Sequence, residues 1–188
     1  MYLISVYFDE KSNHRLQGYI NKIATRTGNT FMTDNNVPPH MTISSIEAKN
    51  IDVLLPAFKK LEGNIQVGKI NFVSVGQLLP YVMYVTPVMN EYLLNLSRQV
   101  YGIFDGIPDT SISRYYRPLS WLPHVTLGKK LDADQMRKAF EIMQESFSPF
   151  QAEITRIGIA KVNPHHDVME IILSLVCKSD YTGRKALA

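Results

Sequence analysis

The chain has 188 residues, of which 45% are apolar and 20% are charged, a balance typical of soluble globular proteins. Its formal net charge of +3 is compatible with an anionic ligand but too small for a broad nucleic-acid coat. The single cysteine, Cys177, excludes an internal disulfide framework. The chain opens without a signal sequence, and no apolar run reaches the roughly 18 residues that span a bilayer. We therefore expect a cytoplasmic protein with no membrane partner.

The first half of the chain is predicted to alternate between strands and helices. Alternation of apolar and polar residues predicts a strand over 2–8, and helical spacing predicts a helix over 11–27 that ends at Gly28. Pro38 and Pro39 enforce an extended entry into the next strand. The other predicted elements of this half are a strand ending near 46, a helix over 51–61 and strands over 65–75 and 81–86.

The second half repeats this order. Apolar spacing predicts a helix over 90–104, and Asp132 is placed to cap a helix that ends near 145. Between them lies a segment rich in turn formers, 106–120, followed by a second strand. The last predicted elements are strands over 150–161 and 168–176, with a turn at 163–167.

The repeated order predicts a pseudo-symmetric duplication. Each half contains a strand, one helix and then a hairpin-like strand pair, which favours an antiparallel α+β fold over a doubly wound sheet. We expect residues 1–178 to form a single two-lobed domain and 179–188, which are small, polar and basic, to form a flexible tail. We expect the protein to be a monomer.

A five-residue pattern also occurs twice. Residues 39–43 read Pro-His-Met-Thr-Ile, and residues 123–127, 84 positions later, read Pro-His-Val-Thr-Leu. Side chains two apart on a strand share one face, so in each copy the histidine and the threonine would lie together while the apolar residues enter the core. Two strands can thus each present an imidazole and a hydroxyl to one cleft.

These four side chains suit phosphate chemistry. Imidazole titrates near pH 6.5, so His40 and His124 can serve as acid and base near neutral pH. The hydroxyls of Thr42 and Thr126 can hold the non-bridging oxygens of a phosphate group. The pattern therefore favours cleavage of a phosphodiester without a metal or another cofactor.

The motifs His40-Met41-Thr42-Ile43 and His124-Val125-Thr126-Leu127 resemble the paired H-x-T/S-x signatures of the 2H phosphoesterase superfamily. The separation of the two motifs and the length of the chain are most similar to those of its 2′-5′ RNA ligase-like branch. The resemblance implies two mainly antiparallel sheets that line a central groove, with helices outside and the motifs facing each other. It implies activity on 2′,3′-cyclic phosphates at RNA 3′ ends or on related small nucleotides, with His124 as base and His40 as acid.

Further residues are candidates for substrate contacts. The branch often carries an arginine three residues after the second threonine, where this chain has Lys129, so the resemblance implies a phosphate contact there without bidentate geometry. Tyr115 and Tyr116 lie between two arginines and could stack a base, although they could equally pack against the core. Tyr84, on the strand after the first hairpin, could line the groove.

Several alternatives stay open. Either motif could be an ordinary strand histidine and threonine. A metal site built on both histidines is disfavoured because no carboxylate or cysteine lies at short ligand spacing. The main hypothesis is hydrolysis of a 2′,3′-cyclic phosphate at an RNA end to a 2′-phosphate, with 2′-5′ ligation as the reverse reaction. Its rivals are a small substrate, such as an ADP-ribose cyclic phosphate or a 2′-5′ oligoadenylate, and a non-catalytic module that binds RNA ends.

Overall fold

The computed structural model describes residues 1–162 and 166–174. The strands are β1 Tyr2–Phe8, β2 Met41–Ala48, β3 Gly68–Leu78, β4 Val82–Pro87, β5 Thr110–Ile112, β6 Val125–Gly128, β7 Phe150–Lys161 and β8 His166–Ile172. The α-helices are α1 Glu10–Thr27, α2 Phe31–Asp34, α3 Leu55–Lys59, α4 Glu91–Phe104 and α5 Ala133–Ser146. Two short 3-10 helices cover Ile51–Val53 and Arg114–Tyr116.

Local sequence signals set the ends of the long helices. Asp9 accepts a hydrogen bond from the backbone N–H of Ser12 and starts α1, and Gly28 ends it with a left-handed φ of 75°. Asp132 and Gln135 form a reciprocal capping box at the start of α5. The predicted cap at Asp132 and the predicted stop at Gly28 are therefore confirmed.

The helix predicted over 51–61 divides into a 3-10 turn and α3, because Pro56 in the first turn of α3 starts a new helix there. The short elements α2 and β5 were not predicted, since neither is long enough to show a periodic pattern. His166, expected in a turn, begins β8. The predicted tail 179–188, the last residues of the predicted strand 168–176, and Cys177 lie outside the described residues.

The eight strands belong to one sheet in the order β1-β2-β6-β4-β3-β7-β8, and β5 pairs with the end of β2 on the same edge as β6. Every pairing between these strands is antiparallel. The predicted antiparallel α+β fold is confirmed. The two predicted sheets are joined, because β7 also pairs with β1 and so closes a ring of strands. β7 is long enough to close the ring. One of its edges pairs with β1, and the other pairs first with β3 and then, further along the strand, with β8.

The core lies on one face of the strands and is covered by helices. Ile4 and Val6 of β1 and Leu16 and Ile20 of α1 are almost completely buried in one apolar cluster. Burial of each such side chain contributes roughly 1.5–3 kcal/mol. The alternate residues of the strands, which include the histidine and the threonine of each motif, face away from this cluster. Within the described ranges 1–162 and 166–174, none of the helices combines the length and the hydropathy that crossing a membrane requires.

Candidate active site

One backbone pairing brings the two motifs together. β2 and β6 pair through Met41 and Val125, and both side chains are fully buried in the core. In an antiparallel pair, the residues that flank such a pair lie opposite each other on the other face. The histidine of each motif therefore lies across from the threonine of the other motif.

The result is a four-cornered arrangement on one face of the sheet. His40 lies across from Thr126, and Thr42 lies across from His124. Directly opposite side chains on such strands have Cβ atoms about 5 Å apart, and diagonal ones about 7–8 Å. The two imidazoles thus occupy one diagonal and the two hydroxyls the other. A phosphate group at the centre would have a hydroxyl and an imidazole on each side.

Both imidazoles are oriented by the same local contact. The Nδ1 atom of His40 lies 2.7 Å from the carbonyl oxygen of Pro38, and Nδ1 of His124 lies 2.9 Å from the carbonyl oxygen of Leu122. A carbonyl oxygen only accepts, so Nδ1 carries the hydrogen in both rings. The proline between each pair of partners keeps the preceding residue extended and aims its carbonyl at the ring. The proton-exchanging atom of each ring is therefore Nε2.

His124 lies in a partly desolvated position. Burial lowers the pKa of His124, and the hydrogen bond to Leu122 opposes this effect only in part. The ring of Tyr84 contributes to the burial, with its centroid 5.2 Å from that of His124. At neutral pH the imidazole of His124 is therefore mainly uncharged and able to accept a proton.

The two threonines differ in their surroundings. Thr42 is buried, and its hydroxyl lies 3.3 Å from the hydroxyl of Ser5 on β1. Thr126 is half-buried and pairs across the ladder with Tyr84. Tyr84 can lie flat in this position because its neighbour on β3 is Gly76, where a Cβ atom would collide with the phenol ring. The structure therefore places Tyr84 beside the second motif.

Tyr7 is a site neighbour that the sequence reasoning missed. The register of β1 on β2 sets Tyr7 across from His40, and their ring centroids are 6.4 Å apart. Its hydroxyl donates to Oδ1 of Asp167 at 3.1 Å, and the guanidinium carbon of Arg156 lies 5.2 Å from the ring centroid. Burial, followed by the nearby Asp167, raises the pKa of Tyr7 well above its usual value, so the phenol stays protonated.

The remaining candidates lie in different surroundings. The ammonium groups of two lysines lie near the ring of Phe31. That of Lys129 is 5.8 Å from the ring centroid, and that of Lys130 is 4.5 Å from it. Tyr115 is 63% exposed, and its hydroxyl accepts a hydrogen bond from Arg114. Tyr116 is largely buried, and burial raises the pKa of its phenol. Tyr116 thus matches the packing alternative, whereas Tyr115 has a ring face open to a ligand.

Trp121 ties the two motifs to each other. Its buried indole N–H donates to the backbone oxygen of Thr42 at 3.0 Å. The next residue, Leu122, supplies the carbonyl that orients His124. A displacement of the segment that contains Trp121 and Leu122 would therefore move both motifs. Trp121 is thus placed to set the distance between the two motifs.

Replacement of Trp121 by phenylalanine tests this link, because an aromatic side chain is kept while the indole N–H and its hydrogen bond are lost. We expect the free energy of unfolding to fall by about 1–3 kcal/mol, since the smaller ring also leaves a cavity, and kcat to fall about tenfold through misplacement of the reacting groups. Tyr92→Phe is the matched control, since it removes a hydrogen bond of Tyr92 to the backbone oxygen of Gln66 outside the site. Equal kcat values in the two variants would contradict the link.

A metal centre is not apparent in the described part of the chain. Across 1–162 and 166–174, no three or more histidine, cysteine, aspartate or glutamate side chains cluster closely enough to hold a metal ion. The absence of a metal from the reaction stays a prediction, which the assay below in a chelator tests.

An antiparallel α+β fold that presents two His-x-Thr strands on one face of its sheet is the arrangement of two-histidine phosphoesterases. The chain belongs to the 2′-5′ RNA ligase superfamily, whose family model matches residues 13–165. Membership supports phosphoesterase activity on RNA or nucleotides. No curated protein sequence matches the chain significantly.

Solved structures share the fold at low sequence identity. One, described as a phosphoesterase, has a TM-score of 0.62 and 14% identity, covering 92% of this chain and 97% of its own. E. coli LigT complexed with 3′-AMP has a TM-score of 0.61 and 12% identity, with coverage of 92% and 97%. The Thermus thermophilus protein TT0787 has a TM-score of 0.57 and 14% identity, with coverage of 93% and 98%. These similarities establish the fold.

Proposed function

We propose that this protein is a metal-independent phosphodiesterase that hydrolyses 2′,3′-cyclic phosphates at RNA 3′ ends to 2′-phosphates. The observation that carries the proposal is the matched pair of imidazoles, each tied at Nδ1 and diagonal to the other across two threonine hydroxyls. Acid–base catalysis of this reaction needs one proton acceptor and one proton donor on opposite sides of a phosphorus atom. The four-cornered arrangement provides both.

The reaction needs no group besides the two histidines, the two threonines and one water molecule. Nε2 of His124 takes a proton from water as the water oxygen attacks phosphorus. The bond between phosphorus and the 3′ oxygen breaks, and Nε2–H of His40 gives its proton to that oxygen. Thr42 and Thr126 donate hydrogen bonds to the non-bridging oxygens, where negative charge builds up in the transition state. The product is a 2′-phosphate with a free 3′ hydroxyl.

Two features support this order of roles. Burial lowers the pKa of His124, which keeps it uncharged and ready to accept a proton. The resemblance to the two-histidine enzymes assigns the base to the second motif as well. If a 5′ hydroxyl replaced water, the same transfers would join two RNA ends through a 2′-5′ linkage, and the reverse of that reaction would exchange the roles of the histidines.

A small nucleotide is the second candidate substrate. The net charge of +3 favours a short ligand, because each phosphate contact in a long nucleic acid normally recruits a lysine or arginine. Structures of E. coli LigT complexed with 3′-AMP and with ATP show that this relative accepts single nucleotides. A shallow salt dependence of binding would indicate the small substrate, and a steep one would indicate RNA.

The pH profile of hydrolysis in EDTA tests the mechanism. We expect kcat/KM for a 2′,3′-cyclic nucleotide to be bell-shaped between pH 5 and 9. On the acid side the rate rises as His124 loses its proton, and because burial lowers its pKa, the midpoint of this limb should lie below pH 6.5. His124→Ala should abolish that limb.

The assay separates the rival functions. Loss of all activity in EDTA with recovery on addition of a divalent metal would contradict the metal-independent scheme. The absence of turnover on cyclic nucleotides and on an oligoribonucleotide with a cyclic phosphate end, together with tight binding of the latter, would indicate a non-catalytic module.

A further inference from the structure

The row of side chains that contains His40 continues across three more strands. Tyr7 on β1 lies across from His40, and Arg156 on β7 lies across from Tyr7. Ile172 on β8 lies across from Arg156 in turn. All four belong to one face of the sheet, because directly paired residues project to the same side. The catalytic face thus extends well beyond the two motifs.

The extension lies where the rest of a nucleotide would reach. Adjacent strands are about 4.8 Å apart, so β7 lies roughly 10 Å from the motif strand β2. In a cyclic nucleotide, the ribose separates the base from the phosphate. A substrate whose phosphate occupies the centre of the four-cornered site must therefore rest its base on neighbouring strands.

Arg156 forms a flat and well-anchored surface in this position. Its guanidinium lies over the ring of Tyr7, at 5.2 Å from the centroid, and Nη1 donates to Oε2 of Glu170 at 2.8 Å. Tyr7 below it is buried and fixed in turn by its hydrogen bond to Asp167. The side chain of Arg156 is still 39% exposed. A guanidinium held in a plane with one open face is a good partner for stacking on a base.

Ile172 adds apolar surface at the outer end of the row. It is 81% exposed although it lies on a strand of the sheet, and it is paired directly with Arg156. A single exposed apolar residue is common on protein surfaces. Here it lies beside a stacking cation on the catalytic face, where a heterocyclic base would cover it.

We propose that Arg156, Glu170 and Ile172 form a base platform that binds the purine of the nucleotide at the cleavage site. This inference rests on the proposed function. A purine offers two fused rings for stacking on the guanidinium and for covering Ile172. The Glu170 carboxylate, next to the stacking surface, accepts a hydrogen bond from an exocyclic amino group, which adenine and guanine carry and uracil lacks.

The test measures hydrolysis of the 2′,3′-cyclic phosphates of guanosine, adenosine, cytidine and uridine. For the unmodified protein we expect KM for the purine substrates to be about tenfold below that for uridine, because base stacking contributes about a factor of this size or more. Arg156→Ala should raise the purine KM about tenfold and remove the preference, with kcat within a factor of two. Arg156→Lys should not restore it, since lysine keeps the charge but loses the plane.

The matched control is Arg26→Ala, which breaks an exposed pair of Arg26 with Glu145 that lies between two helices. It should leave KM unchanged for all four substrates. Equal KM values for the four substrates, or a purine KM unaffected by Arg156→Ala, would overturn the platform. Thermal unfolding identifies a variant that fails to fold, and Arg156→Lys then provides the milder replacement.

A binding measurement keeps the platform testable without turnover. Calorimetric titration of His124→Ala with 2′-GMP and 2′-UMP should show tighter binding of 2′-GMP, with the difference lost when Arg156→Ala is added. If no cyclic phosphate is hydrolysed but this difference in Kd is found, the proposed reaction fails and the platform stands. Equal Kd values for the two nucleotides would contradict the base platform but not the proposed reaction.

Discussion

Replacement of either motif histidine by alanine should lower kcat for 2′,3′-cyclic phosphate hydrolysis by about 10²–10⁴-fold, because a positioned acid or base contributes a factor of this size. KM should change little, since the threonine hydroxyls and the base contacts remain. The effect should appear in both His40→Ala and His124→Ala, because their Nε2 atoms serve opposite ends of one proton transfer. Initial rates over a range of substrate concentrations measure both constants.

Two controls make this result specific to the site. His14 lies exposed on α1, so His14→Ala should retain full activity. The double variant should lose far less than the product of the two single losses, because residues that act as one unit are not additive. Retention of more than a tenth of kcat in either single variant, with a normal unfolding temperature, would be inconsistent with two-histidine catalysis.

Much of the architecture follows from local patterns. The alternation in β1, the apolar spacing in α1 and α4, and the caps at Asp132 and Gly28 are properties of short segments that a sequence displays directly. The shared face of each histidine and its threonine was also accessible, since it follows from the period of a strand. The pairing of the two motif strands was not, because it depends on a contact between distant segments. The order of the longer elements therefore needed no structural information.

The features that the sequence did not predict depend on strand register and on contacts between distant segments. Alternation alone places Tyr7 on the face opposite Val6, but only the pairing of Val6 with Met41 reveals that it lies beside His40. Trp121 gave no signal at all, because a hydrogen bond to the backbone of Thr42 leaves no pattern in the sequence. Closure of the ring by β7 likewise depends on which edges β1 and β3 occupy.

The two copies of the motif have different surroundings. Both histidines make the same local contact with a carbonyl two residues earlier, yet their aromatic neighbours differ in place. Tyr7 lies directly across from His40, whereas Tyr84 lies across from Thr126 and reaches His124 on the diagonal. Burial also lowers the pKa of His124, which suits the base of the proposed mechanism.

Removal of either threonine hydroxyl should be the second most damaging change. In Thr42→Val and Thr126→Val the shape of the side chain is retained and only the donor is lost, so we expect kcat to fall about 10²-fold, as for a lost donor to transition-state oxygens. KM should rise only slightly, because charge on these oxygens grows mainly in the transition state. Steady-state kinetics on a cyclic nucleotide at the pH optimum measures the effect.

Serine and a remote threonine supply the comparisons. Thr42→Ser and Thr126→Ser keep a hydroxyl and should recover most of the activity. Thr25→Val changes the same residue type at an exposed position of α1, outside the site, and should be neutral in kcat. If the serine variants were as inactive as the valine variants, the methyl group and its packing would matter instead of the hydroxyl, and the phosphate-holding role would be wrong.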